Sequence, residues 1–226
     1  MNRRAPELAL VTGLLLAAPV GAFALWATGD LSRSLLTGVG LLYPFAVYAI
    51  YHDDDPTSVL PPRAVAVAGT VAGAVLVVDA AATAGVTDAT LRGTFLGLLV
   101  AAPAWTYAVT YTPVRTLPDG RVLMLAGAVG GAALLLVGFS VETPFGAAAA
   151  LVLWITGAIA ARAAGFAATP TARLGAVAAG VVLGVAVLFA ALFAGSVSSA
   201  AVLSAVTLAL APAVYYGLTV ETASFE

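Results

Sequence analysis

The chain has 226 residues and a formal net charge of −2; 62% of its residues are hydrophobic, 9% are charged, and the mean hydropathy is +1.07. Soluble domains carry about a quarter charged residues, and a chain this apolar would show water large adhesive patches, so a soluble globular protein is excluded and lipid becomes the solvent of the outer surface. With no cysteine there is no disulfide or thiolate chemistry; with a single histidine, His52, there is no bis-histidine site; with no basic patch, nucleic-acid binding is excluded.

Apolar runs separated by short polar or Pro/Gly clusters predict eight helices. The first, at about 6–27, follows Arg3-Arg4. It superficially resembles a signal peptide, but the run from Leu8 to Ala27 is about 20 residues, which is spanning length, and it is read as a retained span. The second covers about 33–51 and contains Pro44. It is followed by His52-Asp53-Asp54-Asp55, an acidic cap with no metal-binding spacing. The third, at 63–84, carries Asp79, and the fourth, at 92–112, begins at Arg92 and contains Pro103. The remaining four lie at 121–140, 145–166, 173–194 and 198–219, the last with Pro212. Each is near the length a helix needs to cross hydrocarbon. None alternates with period two, and lipid offers no partner to an open strand edge.

Arginine placement sets the expected orientation. Arg3, Arg4, Arg63, Arg115, Arg121, Arg162 and Arg173 fall on the side of the N-terminus, against Arg33 and Arg92 on the other. That bias puts the N-terminus in the cytoplasm, and an even number of crossings returns the C-terminus there.

Taken in pairs, the helices repeat. Arg4 is followed by Arg33, Gly38, Pro44 and Tyr48 at offsets of 29, 34, 40 and 44 residues, and Arg63 is followed by Arg92, Gly97, Pro103 and Tyr107 at the same offsets. Arg173 is followed by Pro212 and Tyr216 at 39 and 43, whereas the pair opened by Arg121 has Ala161-Arg162 where the proline should be. The expected fold is therefore all-α: a polytopic transmembrane bundle of four tandem helical hairpins, a parallel internal repeat. It forms one transmembrane domain over 1–226, with units at about 4–51, 63–112, 121–166 and 173–219. The absence of lysine and cysteine, the abundance of Ala, Val, Gly and Thr, and the run Asp53-Asp54-Asp55 resemble membrane proteins of salt-loving archaea. That resemblance is compositional and implies no activity.

Three groups of residues are candidates for function. Pro44, Pro103 and Pro212 fall near mid-span, where each removes a backbone hydrogen bond and kinks its helix. Tyr48, Tyr107 and Tyr216 lie one turn further on and share a face with them. Together these residues suggest kinked helices lining a cavity open to the cytoplasm; the alternative is packing kinks plus an interfacial aromatic belt. Asp79 is the carboxylate well inside a span, a costly placement, with Arg92 its nearest expected partner. GxxxG pairs at Gly69/Gly73, Gly127/Gly131 and Gly180/Gly184, and the row Gly13, Ala17, Gly21, are expected to pack helix on helix or to form a homodimer face.

The first functional reading is a small transporter or channel for an ion or small solute. The alternative is a non-catalytic membrane subunit or scaffold that binds a partner protein or a second copy. An intramembrane enzyme lacks the paired carboxylates, histidine cluster or lysine such chemistry uses, and no cofactor is expected.

Overall fold

In the computed structural model, residues 5–84, 88–112 and 118–219 are described. Among them the chain forms nine helices and no strand: α1 (Ala5–Thr28), α2 (Leu31–His52), α3 (Pro56–Val59), α4 (Pro62–Ala84), α5 (Asp88–Tyr111), α6 (Gly120–Ser140), α7 (Pro144–Ala163), α8 (Pro170–Phe193) and α9 (Ser199–Thr219). All except α3 are long and apolar enough to cross a bilayer. The protein is thus a multi-pass, all-α membrane protein, with α1 and α2, α4 and α5, α6 and α7, and α8 and α9 paired into hairpins.

The surface is that of a molecule dissolved in lipid. Leu15, Val67, Leu136, Val182 and Phe193 are each more than half exposed. In water every such side chain would forgo about 1.5–3 kcal/mol of burial; in hydrocarbon that cost disappears.

Helix ends follow from local chemistry, and they sharpen the expected boundaries. Side chains of Asp30, Asp119, Thr143 and Thr169 cap α2, α6, α7 and α8, satisfying amide groups that the first helical turn leaves open. Helices α7 and α8 start with Pro144 and Pro170 for the same reason: proline lacks the amide that would otherwise need a partner. Helix α7 stops at Ala163 rather than running on to 166. Gly165 there takes a left-handed φ of +84°, and the Phe166 amide donates back to the Ala161 carbonyl at 2.9 Å. Helix α6 closes in the same way, but its left-handed position is held by Glu142 at φ +56°. The short helix α3, capped by Asp55, lies in a linker where no helix was expected.

The hairpins stand in chain order, with α7 between α5 and α9 and with α1–α2 attached at the edge through a thin α2–α4 contact. Helices α5, α7 and α9 make the inner layer. Apart from Arg162, no residue of α7 is exposed. Its Ala147, Ala149 and Ala150 are fully covered, as are Ala200, Ala201 and Ala205 on α9. Of the polar side chains buried in this layer, Thr156, Ser204 and Thr207, the last donates to the Ala147 carbonyl across the α7–α9 seam at 3.3 Å. Among the described residues no buried side-chain polar atom lacks a partner.

Lipid supplies no hydrophobic force between helices, so the hairpins hold by close packing of small residues. A Cβ added to Gly73 would fall 2.6 Å from the Gly97 carbonyl oxygen, one added to Gly127 would fall 3.1 Å from Gly157 Cα, and one on Gly184 2.5 Å from the Ala205 carbonyl oxygen. The GxxxG rows therefore face the second helix of their own hairpin, not a homodimer surface. Gly175, by contrast, has open space around it. Gly73→Val is expected to lower unfolding stability in detergent by about 1–3 kcal/mol through overpacking, while Gly175→Ala is neutral or gains up to about 1 kcal/mol of helix propensity. Equal losses at the two positions would remove close backbone approach as the cause.

Candidate functional site

Define the proximal face as the one at which α1 begins and the distal face as the opposite one. The strongest concentration of polar side chains lies at the distal face, where the starts of α2 and α5 meet the end of α4. They line a cavity of about 390 Å³ that contains Asp30, Ser32, Arg33, Asp79, Asp88 and Arg92, floored by Leu36, Gly93 and Leu96. Helix placement explains the gathering. Asp30 and Asp88 sit at helix N-termini, where a carboxylate meets open amides and the positive end of the helix dipole. Asp79 lies five residues before the end of α4, roughly 7.5 Å below it at 1.5 Å per residue, which brings it within reach of the interface.

Each carboxylate has a partner. Asp30 accepts from the Arg33 amide at 2.9 Å and pairs with its Nε at 3.1 Å. Asp79 accepts from the Ser32 hydroxyl at 2.7 Å, linking the first hairpin to the second across 47 residues of sequence. Asp88 accepts from the hydroxyl of Thr143, the cap of α7, linking the second hairpin to the third. Asp79 and Arg92 thus line the same cavity, and no ion pair joins the two among the described residues. With carboxylates, hydroxyls and guanidinium groups together, the cavity suits a small polar or zwitterionic solute. No cluster of three metal-ligating side chains forms among the described residues.

The prolines and tyrosines do not share one cavity. Pro103 and Tyr107 line an apolar groove of about 380 Å³ in the proximal half, between the first and second hairpins. Pro212 lines another, of about 450 Å³, between the third and fourth. Pro44 lines neither and is exposed. Tyr48 is exposed and stacks on His52 with ring centroids 4.1 Å apart. Tyr216 is exposed, and its neighbour Tyr215 faces the groove instead. Tyr107 is buried, and its hydroxyl donates to the Leu60 carbonyl at 2.7 Å and the Pro56 carbonyl at 3.2 Å, fastening the α3 linker to α5. The tyrosine that sequence reasoning should have preferred on α2 is Tyr43. It lines the groove and donates to the Val100 carbonyl, next to the Leu99 carbonyl that Pro103 leaves without its helical donor. Of the acidic run, Asp53 and Asp55 are engaged in local turn bonds.

No protein-family model, curated protein or solved structure matches the chain. The role of the distal cavity therefore rests on its geometry. A double-mutant cycle on Ser32→Ala and Asp79→Ala, read by unfolding in detergent, is expected to give a coupling of about 1.5–3 kcal/mol for a hydrogen bond to a charged group. Additive effects would show that the two side chains do not meet.

Proposed function

We propose that this integral membrane protein is a non-catalytic subunit or scaffold that binds a partner protein within the bilayer. The observation that carries this reading is the filled inner layer: where α5, α7 and α9 meet, covered alanines occupy the space a permeation path would need. A transporter needs polar groups or water through the thickness of the membrane. Thr207 and Thr156 are buried in this layer, but Thr207 donates to the Ala147 carbonyl and Thr156 to the Val152 carbonyl.

The second reading, a small transporter or channel, draws on the distal cavity. Asp79 and Arg92 would receive the solute there, and the apolar floor at Leu36 and Leu96 would have to open for passage. In both readings the four hairpins act as one transmembrane domain with both termini in the cytoplasm, as the arginine bias indicates.

Two measurements on the full chain separate the readings. Proteoliposomes are expected to pass no more ions or small solutes than protein-free vesicles. Crosslinking in native membranes is expected to join the chain to a second polypeptide. Solute flux that is lost in Asp79→Asn would replace the scaffold reading with transport. A chain that crosslinks to nothing and extracts as a lone monomer would end the scaffold reading.

A further inference from the structure

The two proximal grooves are alike in form and differ in one respect. Both are apolar, both open between neighbouring hairpins, and each is lined by the mid-span proline of a second helix. Small side chains make the space: Gly69 and Ala104 in the first groove, Ala176 and Gly180 in the second. The groove between the third and fourth hairpins also holds a cation, Arg173, and the groove between the first and second holds none.

Arg173 stands at the proximal end of its groove, one turn into α8. From there to Leu183 the lining of α8 covers ten residues, roughly 15 Å at 1.5 Å per residue. That is half of a hydrocarbon core about 30 Å thick, the depth of one leaflet. The walls over this depth are apolar, formed by Met124, Ala128, Trp154, Ala176, Leu183 and Pro212. The indole N–H of Trp154 donates to the Ala128 carbonyl at 3.0 Å.

The guanidinium is held in position. Its Nε donates to the Ala168 carbonyl at 2.8 Å, and its Nη1 donates to the Thr219 carbonyl at 2.6 Å. Thr219 ends α9, where open carbonyls and the negative end of the dipole favour a cation. Among the described residues two of the five N–H donors of the guanidinium are used. A planar donor fork at headgroup level above a leaflet-deep apolar channel matches a phosphate with a chain beneath it.

We propose that the groove between α6–α7 and α8–α9 binds one anionic phospholipid of the bilayer, with its chain along α8 and its phosphate on Arg173. The site does not depend on whether the protein binds a partner.

The test uses the purified full chain in mild detergent, titrated with phosphatidylglycerol or with phosphatidylcholine of identical chains, and reads retained lipid by native mass spectrometry. One phosphatidylglycerol per chain is expected, preferred about fivefold over phosphatidylcholine, as one basic residue at the membrane surface provides. Arg173→Gln is expected to abolish the preference. Arg121→Gln, which removes an exposed arginine outside the groove lining, is expected to keep it. Equal retention of the two lipids, a preference that survives Arg173→Gln, or an equal loss in Arg121→Gln would overturn the proposal. Should Arg173→Gln not survive purification, Ala176→Trp decides: it fills the groove and leaves the charge, so lost retention supports the site and unchanged retention overturns it. Glycerol phosphate, which has no chain, is expected not to displace the lipid; displacement would assign the site to free phosphates instead.

Discussion

Close approach of helix backbones at small residues is the interaction on which the rest of this structure depends. Hydrocarbon satisfies no amide or carbonyl, so each span must close its own hydrogen bonds as a helix. Lipid is also as apolar as leucine, so burial gives the helices no reason to associate. What remains is dispersion between surfaces that fit, which falls away steeply with separation. Glycine facing glycine or alanine, as at Gly73–Gly97, Gly127–Gly157 and Gly184–Ala205, brings whole backbones into contact. Weak pairwise attractions then sum over the length of a hairpin.

The same constraint accounts for the odd member of the repeat. Among the second helices of the hairpins, α2, α5 and α9 carry a mid-span proline, and α7 does not. Helix α7 is packed by α5, α6 and α9, with every residue but Arg162 at least partly covered. A kink there would open seams on several sides at once. The other three prolines border lipid or a groove: Pro44 and Pro103 are exposed, and Pro212 is half-buried in its groove. Mid-span proline thus stands on the second helices at positions that border lipid or a groove, and is missing from the helix that is covered along its length.

Much of the fold was legible in the sequence, because crossing length and apolar composition are properties of each segment alone. The eight spans needed nothing more, and their pairing was read from the repeated arginine, glycine, proline and tyrosine positions. Boundaries were less legible. The caps that begin α6, α7 and α8 are Asp119, Thr143 and Thr169, polar residues that read as loop until the helix behind them is seen. The site was legible only in part. Asp79 and Arg92 stood out as charges in or beside spans, and they do line one cavity. Their actual partners did not stand out. The Ser32–Asp79 and Asp88–Thr143 bonds join different hairpins, and no local pattern says which hairpins are neighbours. The aligned prolines suggested a shared cavity for a similar reason: equal register within each hairpin does not make the kinks converge when hairpins stand in a row.

Eight apolar spans arranged with an alanine-packed inner layer place successive linkers on opposite faces of the bilayer. Because the protein has no cysteine, single cysteines can be placed one at a time and probed with a membrane-impermeant maleimide from each side of sealed vesicles. Cysteines at Asp54, Asp119 and Phe166 should label from one side, those at Gly29, Glu142 and Ser196 from the other, and Ala150→Cys from neither. Labelling of neighbouring linkers from the same side, or ready labelling at Ala150, would contradict the account.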